Sequence, residues 1–176
     1  MTPLESPRRQ WLFGRPLTER ECHFLQSCFG TALATDSIRM VASLGHRSWS
    51  PYGHRISLVR AHFHAGSARE EVRLDEPDSA ACLAHEALHV WQRQRGRRVT
   101  LEAIPLQAGY TLGAWNPYDY RRSQDPADML EQFVTGNVEQ QGKIFEDYIY
   151  ARQSGRDITA FEAVARHVRA SARSTA

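Results

Sequence analysis

Apolar side chains recur along most of this chain at helical spacing, interrupted by a central stretch with the two-residue rhythm of strands. Phe24, Leu25, Cys28 and Phe29 form a stripe that predicts a helix. Thr18 is placed as its N-cap, Glu21 completes a capping box three residues on, and Gly30 stops it. Asp36–Leu44 alternates through Ile38, Met40 and Ala42 and predicts a strand. His46–Gly53 predicts a loop. Arg55–His64 predicts one strand or a tight pair, which would put His62 and His64 on one face. Ser67–Glu76 is charged and connects onward.

Ser79–Arg95 breaks the amphipathic pattern. Ala80, Ala81, Leu83, Ala84, Ala87, Leu88, Val90 and Trp91 surround the axis on nearly all sides, with Cys82 among them, and a helix apolar all round belongs inside a domain. Asp75, Asp78 and Ser79 offer capping oxygens at its start, near Pro77, and Gly96 offers a left-handed stop after Arg93 and Arg95. Beyond it, Arg97–Glu102 predicts a short extended piece, Ile104–Leu112 a short apolar helical turn, and Trp115–Tyr120 an aromatic turn. Asp125 and Pro126 are placed as N-cap and first residue of a long helix reaching about Arg152. Its apolar face holds Leu130, Phe133, Val134, Ile144, Phe145 and Tyr148, and Gly136 and Gly142 weaken its middle. Thr159–Ala170 predicts a last amphipathic helix.

The chain has 176 residues, which suits one domain with a core: a loose arm over 1–16, a domain over 17–170 and a frayed tail over 171–176. Hydrophobic residues make up 41% and charged residues 24%, as in ordinary globular proteins. The net charge of +2 and a single dense run, Arg93–Arg98, argue against a nucleic-acid partner. No apolar run is long enough to span a bilayer and no signal-peptide pattern opens the chain, so the expectation is cytoplasmic synthesis, with any export independent of a signal peptide. Cys22, Cys28 and Cys82 have no repeated spacing and are expected as free thiols.

One pattern changes the picture from fold to chemistry. His85-Glu86-Ala87-Leu88-His89 is an H-E-x-x-H sequence, which places two imidazoles one turn apart on one helix face with a carboxylate beside them. Two imidazoles and a carboxylate in an apolar helix are costly unless partnered, and a zinc ion with its water would be the partner. A catalytic zinc takes a third protein ligand. Gln92 and Arg95 occupy the positions where one extended form of the motif has Gly and His, and His167 lies far along the chain. The candidates are therefore Glu131, Glu139, Glu146 and Asp147. Glu139 is preferred, although in a straight helix it faces away from Phe133 and Ile144, so that helix must be buried on two sides or bent near Gly136 or Gly142. Tyr118 and Tyr120 are candidate donors to a developing oxyanion, with packing as their ordinary alternative. His62 and His64 are candidates for a groove or second metal site, with solvated surface as theirs.

The segment HEALHVWQRQRG resembles the corresponding helix of small Vgr-related proteins and of the core domain associated with extracellular contractile injection systems. The resemblance extends to Leu17-Thr18-x-x-Glu21, to the Ile38–Val41 strand and to Asn137–Tyr148 (NVEQQ…DY), covering most of residues 16–150. It implies a single α+β zincin-like domain, a small sheet on the buried helix with a long helix downstream. His85, His89 and Glu139 would be the zinc ligands and Glu86 the base. The implied activity is peptide-bond hydrolysis on a polypeptide substrate, which Arg55–His64 could bind by strand addition. The competing expectation is a non-catalytic accessory protein of a type VI-like secretion or contractile injection apparatus, partnered by a secretion-system protein.

Overall fold

A computed structural model of the chain describes residues 14–43, 48–50, 53–64 and 70–171. Among these it forms one α+β domain with six α-helices and a three-stranded sheet. The elements are β1 (Arg15–Pro16), α1 (Glu19–Phe29), β2 (Arg39–Ser43), β3 (Arg55–Val59), α2 (Pro77–Arg93), α3 (Val99–Thr111), α4 (Pro126–Thr135), α5 (Val138–Gln153) and α6 (Glu162–Ala170).

Local chemistry sets many of these bounds. Thr18 Oγ accepts from Glu21 N, and the Glu21 carboxylate accepts from Thr18 N, so α1 begins with the expected capping box. Glu21 is fully buried and also accepts from Arg15 and from Val72 N, tying β1, α1 and the segment before α2 together. Burial alone would raise the Glu21 carboxyl. Arg15 and the two backbone donors outweigh it and hold the group below its usual range. Residues 1–13 of the expected arm and 172–176 of the tail lie outside the described residues, whereas Arg15 and Pro16 pair antiparallel with Met40 and Arg39.

The sheet order is β1-β2-β3, with β2 and β3 parallel and Met40 opposite Ile56. The outer edge of β3 is covered. Trp49 exchanges both backbone hydrogen bonds with Ser57, Ser48 Oγ accepts from Val59 N, and Ser50 Oγ donates to Arg55 O. The expected strand addition along Arg55–His64 is therefore blocked there, because those backbone groups are already paired. The strand also ends at Val59. His62 lies in a 3-10 turn, Arg60–His62, so it does not share a strand face with His64. His62 Nδ1 instead bonds Ser79 Oγ at 3.1 Å.

Helix α2 is the centre of the core. Every residue from Ser79 to Gln92 is buried except Cys82, which is half-buried. Fully burying Leu83 or Leu88 contributes about 1.5–3 kcal/mol each. Its N-cap is Glu76, with Pro77 at the first position and no side-chain cap; neither Asp75, Asp78 nor Ser79 caps it as expected. Gly96, at φ 81°, makes the left-handed stop. α5 packs along α2, while α1, α4 and α6 close the core over Phe29, Phe133, Phe145 and Val164.

Two stretches differ from expectation. Arg97–Glu102 is no extended piece but the start of helix α3, which begins at Val99, takes in most of the expected helical turn over Ile104–Leu112 and contains Pro105 within its second turn. The expected long helix is two. Gly136 ends α4, and Asn137 starts α5 with a second capping box, its side chain accepting from Glu139 N and Gln140 N while Gln140 reaches back to Asn137 N. Val134, assigned to the apolar face, is 52% exposed, because the buried side of α4 runs through Met129 and Phe133 and Val134 lies about 100° round the helix from Phe133.

Candidate metal centre

The break at Gly136–Asn137 puts Glu139 in the first turn of α5, buried and turned toward α2. His85 Nε2 lies 3.6 Å and His89 Nε2 3.5 Å from the same oxygen, Glu139 Oε2. These separations are long for charged hydrogen bonds. They suit co-ligands, since donors about 2.0–2.1 Å from a tetrahedral zinc stand roughly 3.3–3.4 Å apart. His85, His89 and Glu139 thus form a group able to hold a metal ion, and His62 and His64 form no such group among the described residues.

Each of the three is oriented by a further partner, as metal ligands ordinarily are. His85 Nδ1 bonds Glu146 Oε2 at 2.8 Å, and Lys143 Nζ bonds the other Glu146 oxygen at 2.8 Å. His89 Nδ1 bonds Gln92 Oε1 at 2.9 Å; Gln92 is in turn held by Gln141. Glu139 Oε1 accepts from Gln107 Nε2 at 3.3 Å. Gly142 supplies room. A Cβ there would stand 2.7 Å from both Cε1 and Nε2 of His85, well inside van der Waals contact.

Glu86 is 5% exposed, and its Oε2 has no hydrogen-bond partner. A buried carboxylate oxygen without a donor is costly, and a water between it and a metal would relieve that cost. Burial raises the Glu86 carboxyl above its usual range; the His85 and His89 rings pull the other way without cancelling it. Burial also works against charge on His85, but Glu139 and Glu146 dominate and raise the imidazole to about 10. Glu146 falls to about 2 and Glu139 falls further, each against the opposing effect of burial. The two carboxylates thus favour positive charge at the point where the three groups converge. The donor set, two imidazoles and one carboxylate beside an unpartnered carboxylate, fits zinc chemistry.

The remaining candidates fall elsewhere. Glu131 is exposed, and Asp147 accepts from Tyr120 and pairs with Lys143 and Arg122. Glu146, a candidate ligand, supports His85 through Nδ1. Tyr118 lies by the site, its ring 6.3 Å from that of His85 and its hydroxyl bonded by Gln107. The Tyr120 hydroxyl is committed to Asp147, which leaves it unavailable as an oxyanion donor. Cys82 is outside the metal group; burial pushes its thiol up to about 12. Three arginines of the run are spent internally, Arg93 on Ser50, Arg95 on Ala32 and Arg97 on Gln141, while Arg98 is exposed. Gln92, Gln107, Gly142 and the orienting role of Glu146 were not anticipated. Gln92 follows His89 by three residues, and Glu139, Gly142 and Glu146 share one helix face, so helical spacing could have found all but Gln107.

No family model matches the chain, and no curated protein matches it. A solved structure does. The chain resembles the effector domain of Pseudomonas aeruginosa VgrG2b, with a TM-score of 0.59 and 25% identity, over 89% of this chain and 83% of that one. The likeness supports the link to Vgr-related proteins. Among the described residues no helix is long and apolar enough to cross a membrane.

Proposed function

We propose that this chain is a zinc-dependent peptide-bond hydrolase acting as an effector linked to a bacterial secretion or contractile injection system. The observation that carries the reading is the convergence of His85 Nε2, His89 Nε2 and Glu139 Oε2 beside the unpartnered Glu86 Oε2. The H-E-x-x-H spacing supports it, and the likeness to the VgrG2b effector domain supports the delivery context.

His85, His89 and Glu139 would hold the ion. Zinc so held supplies a water of lowered pKa and polarises a carbonyl. Glu86 would take the proton from the attacking water at Oε2 and hand it to the departing amine. Glu146 and Gln92 keep both imidazoles with Nε2 facing inward. Tyr118, whose hydroxyl oxygen accepts from Gln107 beside these groups, would donate its own O–H to the developing oxyanion.

Metal analysis and peptide hydrolysis of the purified protein beside Glu86→Gln and His85→Ala test this. The expected result is about one zinc per chain in the parent and in Glu86→Gln, with hydrolysis only in the parent and metal lost in His85→Ala. Full turnover in Glu86→Gln refutes the mechanism. Metal-free protein carried in a tight complex with a secretion-system protein would instead make the chain a non-catalytic binding module.

A further inference from the structure

Seven large hydrophobic residues are exposed among those described, and five of them fall between Leu101 and Trp115. They lie on α3 and the turn after it. Leu101, Ile104 and Ala108 share an arc of about 60° on the helix, which Leu112 extends to about 80°. Leu112 is 84% exposed and Ile104 60%. A concentration of this kind marks an interaction surface.

The same helix reaches the metal centre. Gln107, one turn after Ile104, contacts both Glu139 and Tyr118. Tyr110 packs edge-on against Tyr118 at 5.9 Å, and Tyr118 faces His85. Trp115 lies across Gly109, where no Cβ would fit. The apolar surface is thus continuous with the candidate catalytic group. Its charge points to the kind of partner. Between Val99 and Tyr120 there is no Lys or Arg, and Glu102 is paired with Arg97. Helices that lie on anionic membranes carry Lys and Arg along their polar face; α3 carries none, and of the arginines that precede it Arg97 is paired with Glu102 and Arg95 bonds Ala32.

We propose that α3 and its following turn form the specificity rim for a polypeptide with large apolar side chains beside the scissile bond, a proposal that rests on the hydrolase reading. Ile104 and Leu112 receive such a side chain while Gln107 and Tyr118 border the peptide group at the metal.

The test uses zinc-loaded Glu86→Gln protein and two labelled dodecapeptides identical except for a central Leu-Phe pair, replaced by Ser-Asp in one. The apolar peptide is expected to bind at least about tenfold more tightly. The Ile104→Ser/Leu112→Ser variant, both sites being exposed, is expected to lose that preference while keeping its metal and its circular dichroism. Equal binding of the two peptides, or an unchanged preference in the variant, overturns the proposal. So does uptake by phosphatidylglycerol vesicles through these residues with neither peptide bound, or a dimer in sedimentation that the variant abolishes. Cleavage of both peptides alike by the parent would overturn the rim and leave the hydrolase reading standing. Selective binding without cleavage would sink the hydrolase reading and leave the apolar peptide site.

Discussion

Gly142→Ala is the sharpest probe of the metal centre, because it adds one methyl group at the contact between α2 and α5. The new Cβ would stand 2.7 Å from Cε1 and Nε2 of His85. Comfortable contact is about 3.5–4.0 Å, so the ring must retreat by roughly 0.8 Å or more. It cannot do so freely, since Nδ1 is bonded to Glu146 at 2.8 Å. Metal–ligand distances tolerate only about 0.2 Å, so the displacement should weaken metal affinity by about 10–100-fold, the loss seen when an orienting partner is removed. Stability moves less. Overpacking costs about 1–3 kcal/mol, and replacing a mid-helix glycine by alanine returns about 0.5–1 kcal/mol. The net expectation is a destabilisation of about 1 kcal/mol, read from urea midpoints of the metal-free protein. In a His85→Ala background the clash is gone, and the same substitution should stabilise by about 0.5–1 kcal/mol. Competition titration with zinc and a chromophoric chelator gives the affinity. Wild-type affinity in Gly142→Ala, or additivity of the two substitutions, would refute the packing argument.

Glu146→Ala should leave the fold intact and lower metal affinity about 10–100-fold by freeing the His85 ring, measured in the same competition titration. In the metal-free protein His85 is raised to about 10, so its stabilising charge is fully present below the ordinary histidine value of 6.5 and is lost as pH rises toward 10. Metal-free protein should therefore lose stability across that window, and zinc uptake at pH 7 should release a proton, seen as a buffer-dependent heat in calorimetry. Glu21 has the opposite sign. Its carboxyl is depressed, so its contribution is present above about 4.5 and lost as pH falls through the folded value. Glu21→Gln should cost about 3–5 kcal/mol near pH 7 by taking the buried carboxylate away from the Arg15 guanidinium, with the gap to the parent narrowing as pH falls through the folded value in acid unfolding curves.

The parts of the fold written in local chemistry were legible. Thr18-x-x-Glu21 announces a helix start because a hydroxyl and a carboxylate at that spacing satisfy two backbone donors, and the helix starts there. The burial of α2 follows from an apolar surface with no polar side to expose. Asn137-x-x-Gln140 carries the same kind of capping signal, yet the flanking apolar residues on both sides of it read as one continuous helix. That misreading turned Glu139 away from the site, since the break reorients everything after Gly136. Gln107 was invisible for a different reason. Its contact with Glu139 spans 32 residues and depends on how α3 lies across the end of α5, which no local pattern encodes. Nor does periodicity reveal that residues 48–50 return along β3, because that pairing is made by backbone atoms whatever the side chains are.

The Arg15–Glu21–Val72 junction limits where the polypeptide can be cut or joined. A truncation at Leu17 would keep every helix yet strand a carboxylate with no exposed surface, its guanidinium counter-ion gone. A boundary before Gly14 leaves the tether whole, so a fusion partner or upstream module is best spliced on that side of it.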